Sequence, residues 1–422
     1  MKNFLKKLIP RSLLEKFWHY PKGILASLIY GKPAKNLKVI GVAGTKGKTT
    51  TCHLIAHILE KNQKKVALIS TASLKIGKKE KLNPLKMTTP SPFFLQKFIK
   101  EAVKKGCQYL VLETSSHALS QYRTFGIPFF VVVLTNLIPD HLEYHQNPKE
   151  YQEVHFKMIN KSLKYLILNK DDPNLEKFLS YPMKFGEKIT FGIEKDADIS
   201  GKEIFLTQEG TSFKIKTKEG SISVNSNLLG KFNVYNVLAA VAVSLSQKID
   251  LLKIKRSLED FKGTPGRMEI IESKKNFKVI VDYAHSPESL KNLFEAIKPI
   301  KKGKIITVFG ACGERDETKR PLMGEIIDKN SDYFIVTNDD PYSEDPEKIA
   351  KELISGIKTK KLNENLFKIL DRKEAIKKGI SLAKEGDLVL VLGKGAEQWQ
   401  VFKDKKIPWD DRKIVKEILN SK

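Results

Sequence analysis

The sequence predicts an α/β fold in which two sheet-containing domains follow one another. Short apolar segments rich in Val, Ile and Leu recur along the chain, and stretches of helix length separate them. They lie at 37–44, 65–70, 108–114, 129–136 and 164–169, and again at 277–283, 304–310, 333–338 and 387–393. Because strands that alternate with helices form a parallel sheet covered on both faces, we expect a mostly parallel sheet in each half.

The region between the two series of strands has a different pattern. Residues 188–226 contain short alternating segments with turn glycines, which predicts a small β insertion in the first domain. An apolar helical pattern at 234–245 follows, and the turn GTPGR at 263–267 precedes the second series. We therefore divide the chain into an N-terminal arm (1–36), a central domain (37–262) and a Rossmann-like C-terminal α/β domain (263–422).

Composition and charge exclude several classes of protein. The 422 residues are 41% hydrophobic and 29% charged, which is ordinary for a folded chain, and no apolar run reaches the roughly 20 residues of a membrane helix. The net charge is +26, but its lysines are spread along the chain as doublets, so we expect a solvated basic surface and no nucleic-acid partner. Three distant cysteines favour a reducing cytoplasm.

The N-terminal arm is amphipathic. Aromatic and aliphatic residues recur at helical spacing before Trp18, with basic residues between them, and Pro10 should break the helix. Two interpretations remain open: the arm packs on the main body, or residues 1–30 make a peripheral contact with a membrane surface.

A glycine-rich loop carries the strongest functional signal. Residues 44–50 read GTKGKTT and lie between a predicted strand and a predicted helix. In such a loop the backbone N–H groups and the helix N-terminus bind phosphate, Lys48 neutralises phosphate charge, and the Thr49 hydroxyl reaches Mg²⁺. The strict P-loop pattern requires glycine at position 42, which is Val42 here, so this is a variant loop. It predicts nucleotide binding.

Ten further motifs follow in order. They are MTTPSP (87–92), LETSSHALSQYR (112–123), LTNLIPDHLEYH (134–145), GKFNVYNVLAA (230–240), TPGRMEII (264–271), VDYAHSPESL (281–290), VFGACGERDETKRPLMG (308–324), NDDPYSEDP (338–346), GKGAEQWQ (393–400) and WDDR (409–412). Together with the glycine-rich loop they resemble the Mur ligases, and within that family the enzymes that add the third amino acid of the peptidoglycan stem. The resemblance extends from Val39 to the C-terminus.

The resemblance implies an activity and its substrates. Mur ligases join a carboxylate to an amine through an acyl phosphate, using ATP and Mg²⁺ and releasing ADP and phosphate. A carboxylate is a poor electrophile, and phosphorylation supplies the leaving group that it lacks. By resemblance the substrates are a UDP-N-acetylmuramoyl-peptide and an amino acid, and the enzyme is a cytoplasmic monomer.

The resemblance also assigns site residues. Lys48 and Thr49 would hold the ATP phosphates and a first Mg²⁺, Glu113 would be a metal ligand, and His141 would help to hold a second cation. Further nucleotide contacts would come from Gly44, Thr45, Lys46, Gly47, Thr50, Asn233, Asn236, Arg267, Asp282 and His285. Contacts to the acceptor or the amino acid would come from Thr88, Thr89, Ser115, Gln121, Arg123, Arg315, Lys319, Asp339, Asp340, Tyr342, Gly395 and Glu397. Helix capping remains an alternative role for the two asparagines.

Three departures from the family pattern affect this assignment. Only 36 residues precede the first matching strand, so we expect the usual uridine-nucleotide-binding domain to be lacking. His155 occupies the position of a lysine that is carbamylated in relatives, and it would either donate a hydrogen bond to the acyl phosphate or fill space. Tyr342 replaces the arginine of the motif DNPR, Asp340 replaces its asparagine, and Ala396 replaces the histidine of GKGHE. These changes disfavour diaminopimelate and favour L-lysine or a small neutral amino acid.

Two other functions remain open from the sequence. A folylpolyglutamate synthetase-like ligase shares the mechanism, although TTP, SSHAL and GKGxE favour the Mur ligases. A catalytically reduced P-loop binding protein would account for His155, although the retention of Lys48, Glu113 and His141 argues against it.

Overall fold

The computed structural model describes residues 11–140, 144–184, 186–207 and 209–421. The chain divides into two compact units. The first comprises the chain up to Phe205 together with Thr211–Asn227 and Lys231–Phe261, and the second comprises Leu206–Gly210, Leu228–Gly230 and Lys262–Lys422. Among the described residues, no helix is both long enough and apolar enough to cross a membrane.

The first unit is built on an eleven-stranded sheet of order β11-β10-β9-β8-β7-β6-β1-β5-β2-β3-β4. The strands are β1 (Lys38–Ala43), β2 (Val66–Ile69), β3 (Ser73–Ile76), β4 (Lys79–Leu82), β5 (Tyr109–Glu113), β6 (Phe129–Leu134), β7 (Tyr165–Asn169), β8 (Glu187–Gly192), β9 (Ile199–Thr207), β10 (Gly210–Thr217) and β11 (Gly220–Ser226). The centre of the sheet is parallel, as predicted. The expected β insertion continues the same sheet, since β8 pairs with β9.

Helices cover this sheet. They are α1 (Arg11–Leu14), α2 (Tyr20–Ile29), α3 (Lys48–Lys61), α4 (Pro92–Lys104), α5 (Ser116–Ser120), α6 (Pro148–Glu153), α7 (Glu176–Ser180), α8 (Lys231–Ser246) and α9 (Leu251–Asp260). A π-helical turn at Glu15–His19 joins α1 to α2, and a 3-10 turn at Val154–Met158 follows α6. The central strands β1, β2, β5, β6 and β7 are almost fully buried, which explains their nearly uninterrupted apolar sequences, whereas β4 and β8 to β11 are partly exposed.

The second unit contains a six-stranded sheet of order β12-β13-β17-β14-β15-β16 and a two-stranded sheet, β18-β19. The strands are β12 (Glu269–Glu272), β13 (Lys278–Asp282), β14 (Ile305–Phe309), β15 (Tyr333–Val336), β16 (Leu366–Lys368), β17 (Leu388–Leu392), β18 (Trp399–Val401) and β19 (Lys406–Pro408). The helices are α10 (Pro287–Ile297), α11 (Lys319–Asn330), α12 (Pro346–Ile354), α13 (Arg372–Leu382) and α14 (Asp411–Asn420). Strands β13, β17, β14, β15 and β16 are parallel, which confirms the predicted α/β class.

Candidate active site

The glycine-rich loop turns sharply between β1 and α3. Gly44 has φ 133° and Gly47 has φ 82°, which are left-handed values that favour glycine. A side chain at Gly44 would collide with Thr135, and one at Gly47 would collide with the Asn236 amide. Both glycines are therefore required by conformation and by space. Helix α3 begins at Lys48, so the loop presents a helix N-terminus, which is the usual site for phosphate.

Lys48 folds back over this loop. Its Nζ donates to the carbonyl oxygens of Gly44 at 2.8 Å and Thr45 at 3.0 Å. Lys46 lies 3.8 Å from Asp140, and the Thr45 hydroxyl is 2.7 Å from the hydroxyl of Tyr151. The loop is thus held in shape by its own lysine and by the chain that follows β6. These residues fit a nucleotide phosphate by conformation and by charge.

Glu113 is buried at the end of β5 and accepts hydrogen bonds from neighbouring hydroxyl groups. Its Oε1 accepts hydrogen bonds from the hydroxyls of Thr49 at 3.0 Å and Thr71 at 2.9 Å, and its Oε2 accepts one from the Thr71 N–H at 2.7 Å. The Thr88 hydroxyl lies 2.9 Å from that of Thr71. This set of oxygen atoms beside the phosphate loop fits Mg²⁺, which prefers oxygen ligands. Thr71 was missed in the sequence because it belongs to no recognised motif. Thr50, a further residue of the glycine-rich loop, is buried on α3.

The residues expected to contact the acceptor form a connected polar group. Thr89 is fully buried, donates to the carbonyl of Glu113 at 2.9 Å, and accepts from the Ser115 N–H. Arg123 donates to the Thr89 carbonyl at 2.7 Å and to Gln121 Oε1 at 2.6 Å. The Ser115 hydroxyl caps α5. Burial lowers the pKa of the Arg123 guanidinium. The hydroxyl groups of Thr89 and Ser115 therefore bond the surrounding backbone and hold this part of the site in shape.

Of the two asparagines of α8, Asn236 lies beside the glycine-rich loop, and Asn233 bonds Asn236. Asn236 and Asn233 are buried, and the Asn236 amide donates to Asn233 Oδ1 at 2.8 Å. Asn236 Oδ1 also accepts from the hydroxyl of Thr51 at 3.3 Å. Asn236 does not cap a helix, because it lies beyond the first turn of α8, which begins at Lys231. Its side-chain amide lies beside Gly47.

His155 is buried and neutral. Its Nδ1 lies 2.9 Å from the carbonyl oxygen of Tyr151, so the proton sits on Nδ1 and donates there. Burial lowers the pKa of the ring to about 4. Nε2 therefore carries a lone pair, and it has no hydrogen-bond partner among the described residues. Of the two roles expected for His155, donation of a hydrogen bond to a phosphate does not fit this tautomer. His141 lies outside the described residues.

A row of aromatic and histidine rings connects α5 to the segment after β6, and it was not foreseen. The rings of His117 and Tyr144 lie 4.1 Å apart, and those of Tyr144 and His145 lie 5.0 Å apart. Tyr151 follows at 5.4 Å from His145, and His155 at 5.3 Å from Tyr151. Since the Tyr151 hydroxyl bonds Thr45, the row ends against the phosphate loop.

In the second unit, candidate residues gather in loops that follow the strands. Arg267 stacks on the ring of Tyr283 at 4.3 Å, and His285 Nδ1 lies 2.7 Å from the Tyr283 carbonyl oxygen. Asp282 accepts from the N–H groups of Met268 and Ala284, both at 2.7 Å, and burial raises its pKa. Asp282 thus holds the loop, Arg267 lies against Tyr283, and His285 is exposed.

A buried lysine organises the second unit's site. Lys394 Nζ donates to Asp339 at 3.2 Å, Asp340 at 2.9 Å and Glu397 at 3.0 Å. Its side chain is fully buried, and the side chains of both aspartates are almost fully buried. Burial alone would lower the pKa of Lys394, but the three carboxylates raise it well above its usual value. We call Lys394, Asp339, Asp340 and Glu397 the Lys394 cluster; one ammonium against three carboxylates leaves an excess of negative charge.

The Lys394 cluster is tied to its neighbours by the backbone. The Val401 N–H donates to Asp340 Oδ1 at 2.8 Å, so this carboxylate is already paired. Tyr342 has φ 52°, and burial raises the pKa of its phenol to about 12. Gly395 has φ 53°, and a side chain there would press on the Gly266 carbonyl. Cys312 lies near both aspartates, burial raises the pKa of its thiol, and the Lys394 ammonium already bonds the two carboxylates.

Two buried arginines were missed in the sequence. Arg320 bonds Glu344 at 2.8 Å and Glu352 at 2.5 Å, which holds the start of α11 to the following helix. Arg372 makes a two-point contact with Asp411 at 2.8 and 2.6 Å. The nearby Arg315 is exposed, and Lys319 pairs with Asp316 at 3.5 Å. Arg315 and Lys319, which we expected to bind a ligand, therefore lie on a segment that the ion pairs of Arg320 hold in place.

Comparison with known proteins identifies the family. A model of the Mur ligase middle domain matches residues 42–244, and a model of the Mur ligase, glutamate ligase domain matches residues 266–395. A UDP-N-acetylmuramoyl-L-alanyl-D-glutamate–2,6-diaminopimelate ligase of Syntrophomonas wolfei is 40% identical over 407 residues, covering 94% of this chain and 81% of the relative. The chain belongs to the Mur ligase family. It is an ATP-dependent ligase, as the sequence motifs predict.

Solved structures agree with this membership in the Mur ligase family. A structure of a UDP-N-acetylmuramoyl-L-alanyl-D-glutamate–2,6-diaminopimelate ligase is 32% identical with a TM-score of 0.65, covering 91% of this chain and 78% of the other. A folylpolyglutamate synthase of Mycobacterium tuberculosis has a TM-score of 0.70 at 14% identity, covering 88% and 92%. That second likeness shows a common fold and nothing more.

Proposed function

We propose that this Mur ligase adds the third amino acid to a UDP-N-acetylmuramoyl-peptide in peptidoglycan precursor synthesis, with ATP converted to ADP and phosphate. The observation that carries the proposal is the juxtaposition of the glycine-rich loop with Glu113 and the polar group around Arg123. Relatives with this whole-chain similarity are named for that reaction. Phosphoryl transfer and attack by an amine then form the amide bond.

In the first unit, each residue serves the transfer of the γ-phosphoryl group. Lys48 and the loop N–H groups stabilise phosphate charge, and Asn236 holds the loop against α8. Thr49 and Glu113 would hold Mg²⁺, which supplies positive charge to the phosphates when bound. Arg123 lies close to Gln121 and Thr89 and offers a cation to the carboxylate of the acceptor.

In the second unit, the Lys394 cluster would receive the amino acid. Three carboxylates around one ammonium attract a second cation, which the amino group of the incoming substrate provides. Arg315 and Lys319 lie on the segment that Arg320 anchors and are suited to the substrate carboxylate.

We infer that the amino acid is L-lysine or a small neutral one. Tyr342 offers a phenol where an arginine would pair with a second carboxylate, and burial raises its pKa to about 12, so it stays neutral. The excess negative charge of the Lys394 cluster also disfavours an added carboxylate. The curated relatives are named for diaminopimelate, and so this inference separates the chain from them.

We further propose that the enzyme works as a monomer in the cytoplasm without a nucleic-acid partner. The three cysteines, Cys52, Cys107 and Cys312, are all free thiols, which is consistent with a reducing compartment.

The experiment is a matrix of acceptors and amino acids scored by phosphate release and product mass. UDP-N-acetylmuramoyl-dipeptide with L-lysine, L-alanine and diaminopimelate forms one arm, and a folate with glutamate forms the other. Amide formation on the muramoyl acceptor, with L-lysine or L-alanine giving the highest specificity constant, is the expected result. Preference for diaminopimelate would overturn the choice of amino acid, and turnover of folate alone would overturn the proposed function.

A further inference from the structure

Within the part of the chain that the structure describes, helix α2 has an exposed apolar face. Its buried residues, Gly23, Ala26 and Ser27, are three and four positions apart and so share one face. Leu25, Leu28 and Ile29 project from the opposite face with exposures of 51%, 58% and 58%. We call these three side chains the outward face of α2.

Exposed hydrophobic side chains are concentrated in this part of the molecule. Fourteen large hydrophobic side chains are exposed among the described residues, and seven of them lie between Leu13 and Ile29. Phe17 and Trp18, just before α2, are 66% and 49% exposed. Singly exposed apolar residues are normal on a protein surface, but a contiguous group marks a contact with something else.

The inner face of α2 is firmly attached, so the outward face is held in place. Tyr20 packs its ring against those of Tyr122 at 5.0 Å and Phe125 at 5.3 Å. A side chain at Gly23 would collide with both of these residues, at 2.7 Å from the Tyr122 carbonyl oxygen. The close approach fixes the orientation of the helix. The helix therefore packs on the main body by one face and exposes the other.

The segment of the sequence that contains α2 is basic. Residues 1–36 contain eight lysines or arginines and one acidic residue, Glu15. Lys22 lies 3.8 Å above the ring of Trp18, which is itself exposed. A basic segment that carries exposed aromatic and aliphatic side chains is typical of helices at a lipid surface.

We propose that the outward face of α2 binds the surface of an anionic membrane. The apolar side chains would enter the boundary between headgroups and acyl chains, and the surrounding lysines would contact anionic headgroups. A second copy of the chain is a poorer occupant, because the same basic residues would face each other across the interface. The proposal does not depend on which amino acid the ligase adds.

The test is co-sedimentation of the full chain with vesicles of phosphatidylcholine alone and with vesicles that also contain phosphatidylglycerol. The variant Leu25→Asn/Leu28→Asn/Ile29→Asn removes the outward face while changing only exposed side chains. The matched control, Phe205→Asn/Leu252→Asn/Leu362→Asn, changes three residues that are equally exposed elsewhere. Phosphate release in solution reports whether each variant is folded.

We expect the wild type and the control to bind the anionic vesicles at least tenfold more than the α2 variant, and to bind neutral vesicles weakly. Added salt should reduce binding of the wild type, because it screens the lysine contacts. Equal binding by all three proteins, or no binding by the wild type, would overturn the proposal. Sedimentation velocity distinguishes the other occupant. If the wild type is a dimer that the α2 variant abolishes, and neither protein binds vesicles, then a second copy of the chain occupies the outward face and the proposal is overturned.

Discussion

The two units hold their charged groups in different ways. Around the glycine-rich loop, Lys48 donates hydrogen bonds to backbone carbonyls, and Glu113 accepts them from hydroxyls and a backbone N–H. In the second unit, Lys394 is fully buried and bonds three carboxylates directly. The first site presents a helix N-terminus and oxygen atoms that fit a phosphate and a metal ion, whereas the second contains an internal ion cluster.

Replacing Lys394 should give the largest effect on stability. Lys394→Met leaves Asp339, Asp340 and Glu397 without their cation, and loss of one partner from a buried ion pair costs about 3–5 kcal/mol. Urea unfolding of the full chain measures the loss of stability as a lower midpoint of the transition. The control is Lys348→Met, whose exposed contact with Glu317 should matter little. Equal stability of the two variants would show that the cluster is not structural.

Replacing Lys48 should give the largest effect on turnover with little effect on folding. Lys48→Ala removes the cation that the glycine-rich loop holds, and loss of a contact to developing charge lowers rates by about 10²–10³. Phosphate release measures this, with Lys100→Ala, an exposed lysine on α4, as the control. Near-normal release by Lys48→Ala would contradict the role of the loop.

His155 should make stability depend on pH. Burial lowers its pKa to about 4 from the ordinary 6.5, so below pH 6.5 the unfolded chain binds a proton that the folded chain does not. The free energy of unfolding therefore falls as pH falls, by about 2 kcal/mol at pH 5 relative to pH 8. Unfolding curves of the wild type and His155→Gln should converge at low pH. A constant difference between them from pH 5 to 8 would show that the ring is charged or accessible.

Replacing Glu113 should give the smallest of these effects. Glu113→Gln keeps the shape of the side chain beside Thr49 and Thr71 but removes the charge that a metal ion would use. We expect the Mg²⁺ concentration for half-maximal activity to rise by about tenfold. Glu101→Gln, an exposed change on α4, is the control. An unaltered Mg²⁺ dependence would remove Glu113 from the metal site.

The sequence predicted the parts of the site that are local and missed those that depend on distant contacts. The strands and the glycine-rich loop are contiguous patterns, so their conformations follow from nearby residues. Lys394 lies within the quoted motif GKGAE, but its partners Asp339 and Asp340 are 55 and 54 residues away. No local pattern reports that contact. Thr71, an isolated threonine after β2, gives no signal until Glu113 is placed beside it.

The structure places Asp340 in a different setting from the one that the sequence suggests. From the sequence it adds an anion that would face the amino acid directly. In the structure its carboxylate accepts hydrogen bonds from Lys394 and the Val401 N–H, and 2% of it is exposed. Its charge therefore acts through the Lys394 cluster as a whole.

The decisive measurement follows oxygen from the acceptor carboxylate into phosphate. The muramoyl acceptor is labelled with ¹⁸O at both carboxylate oxygens, and the phosphate released with the amino acid present is analysed by mass. In an acyl phosphate mechanism the carboxylate oxygen bonds to the γ-phosphorus, and the amine then expels phosphate carrying that oxygen. We predict one ¹⁸O in each phosphate released. Phosphate without ¹⁸O, formed together with the amide product, would contradict the proposed ligation chemistry.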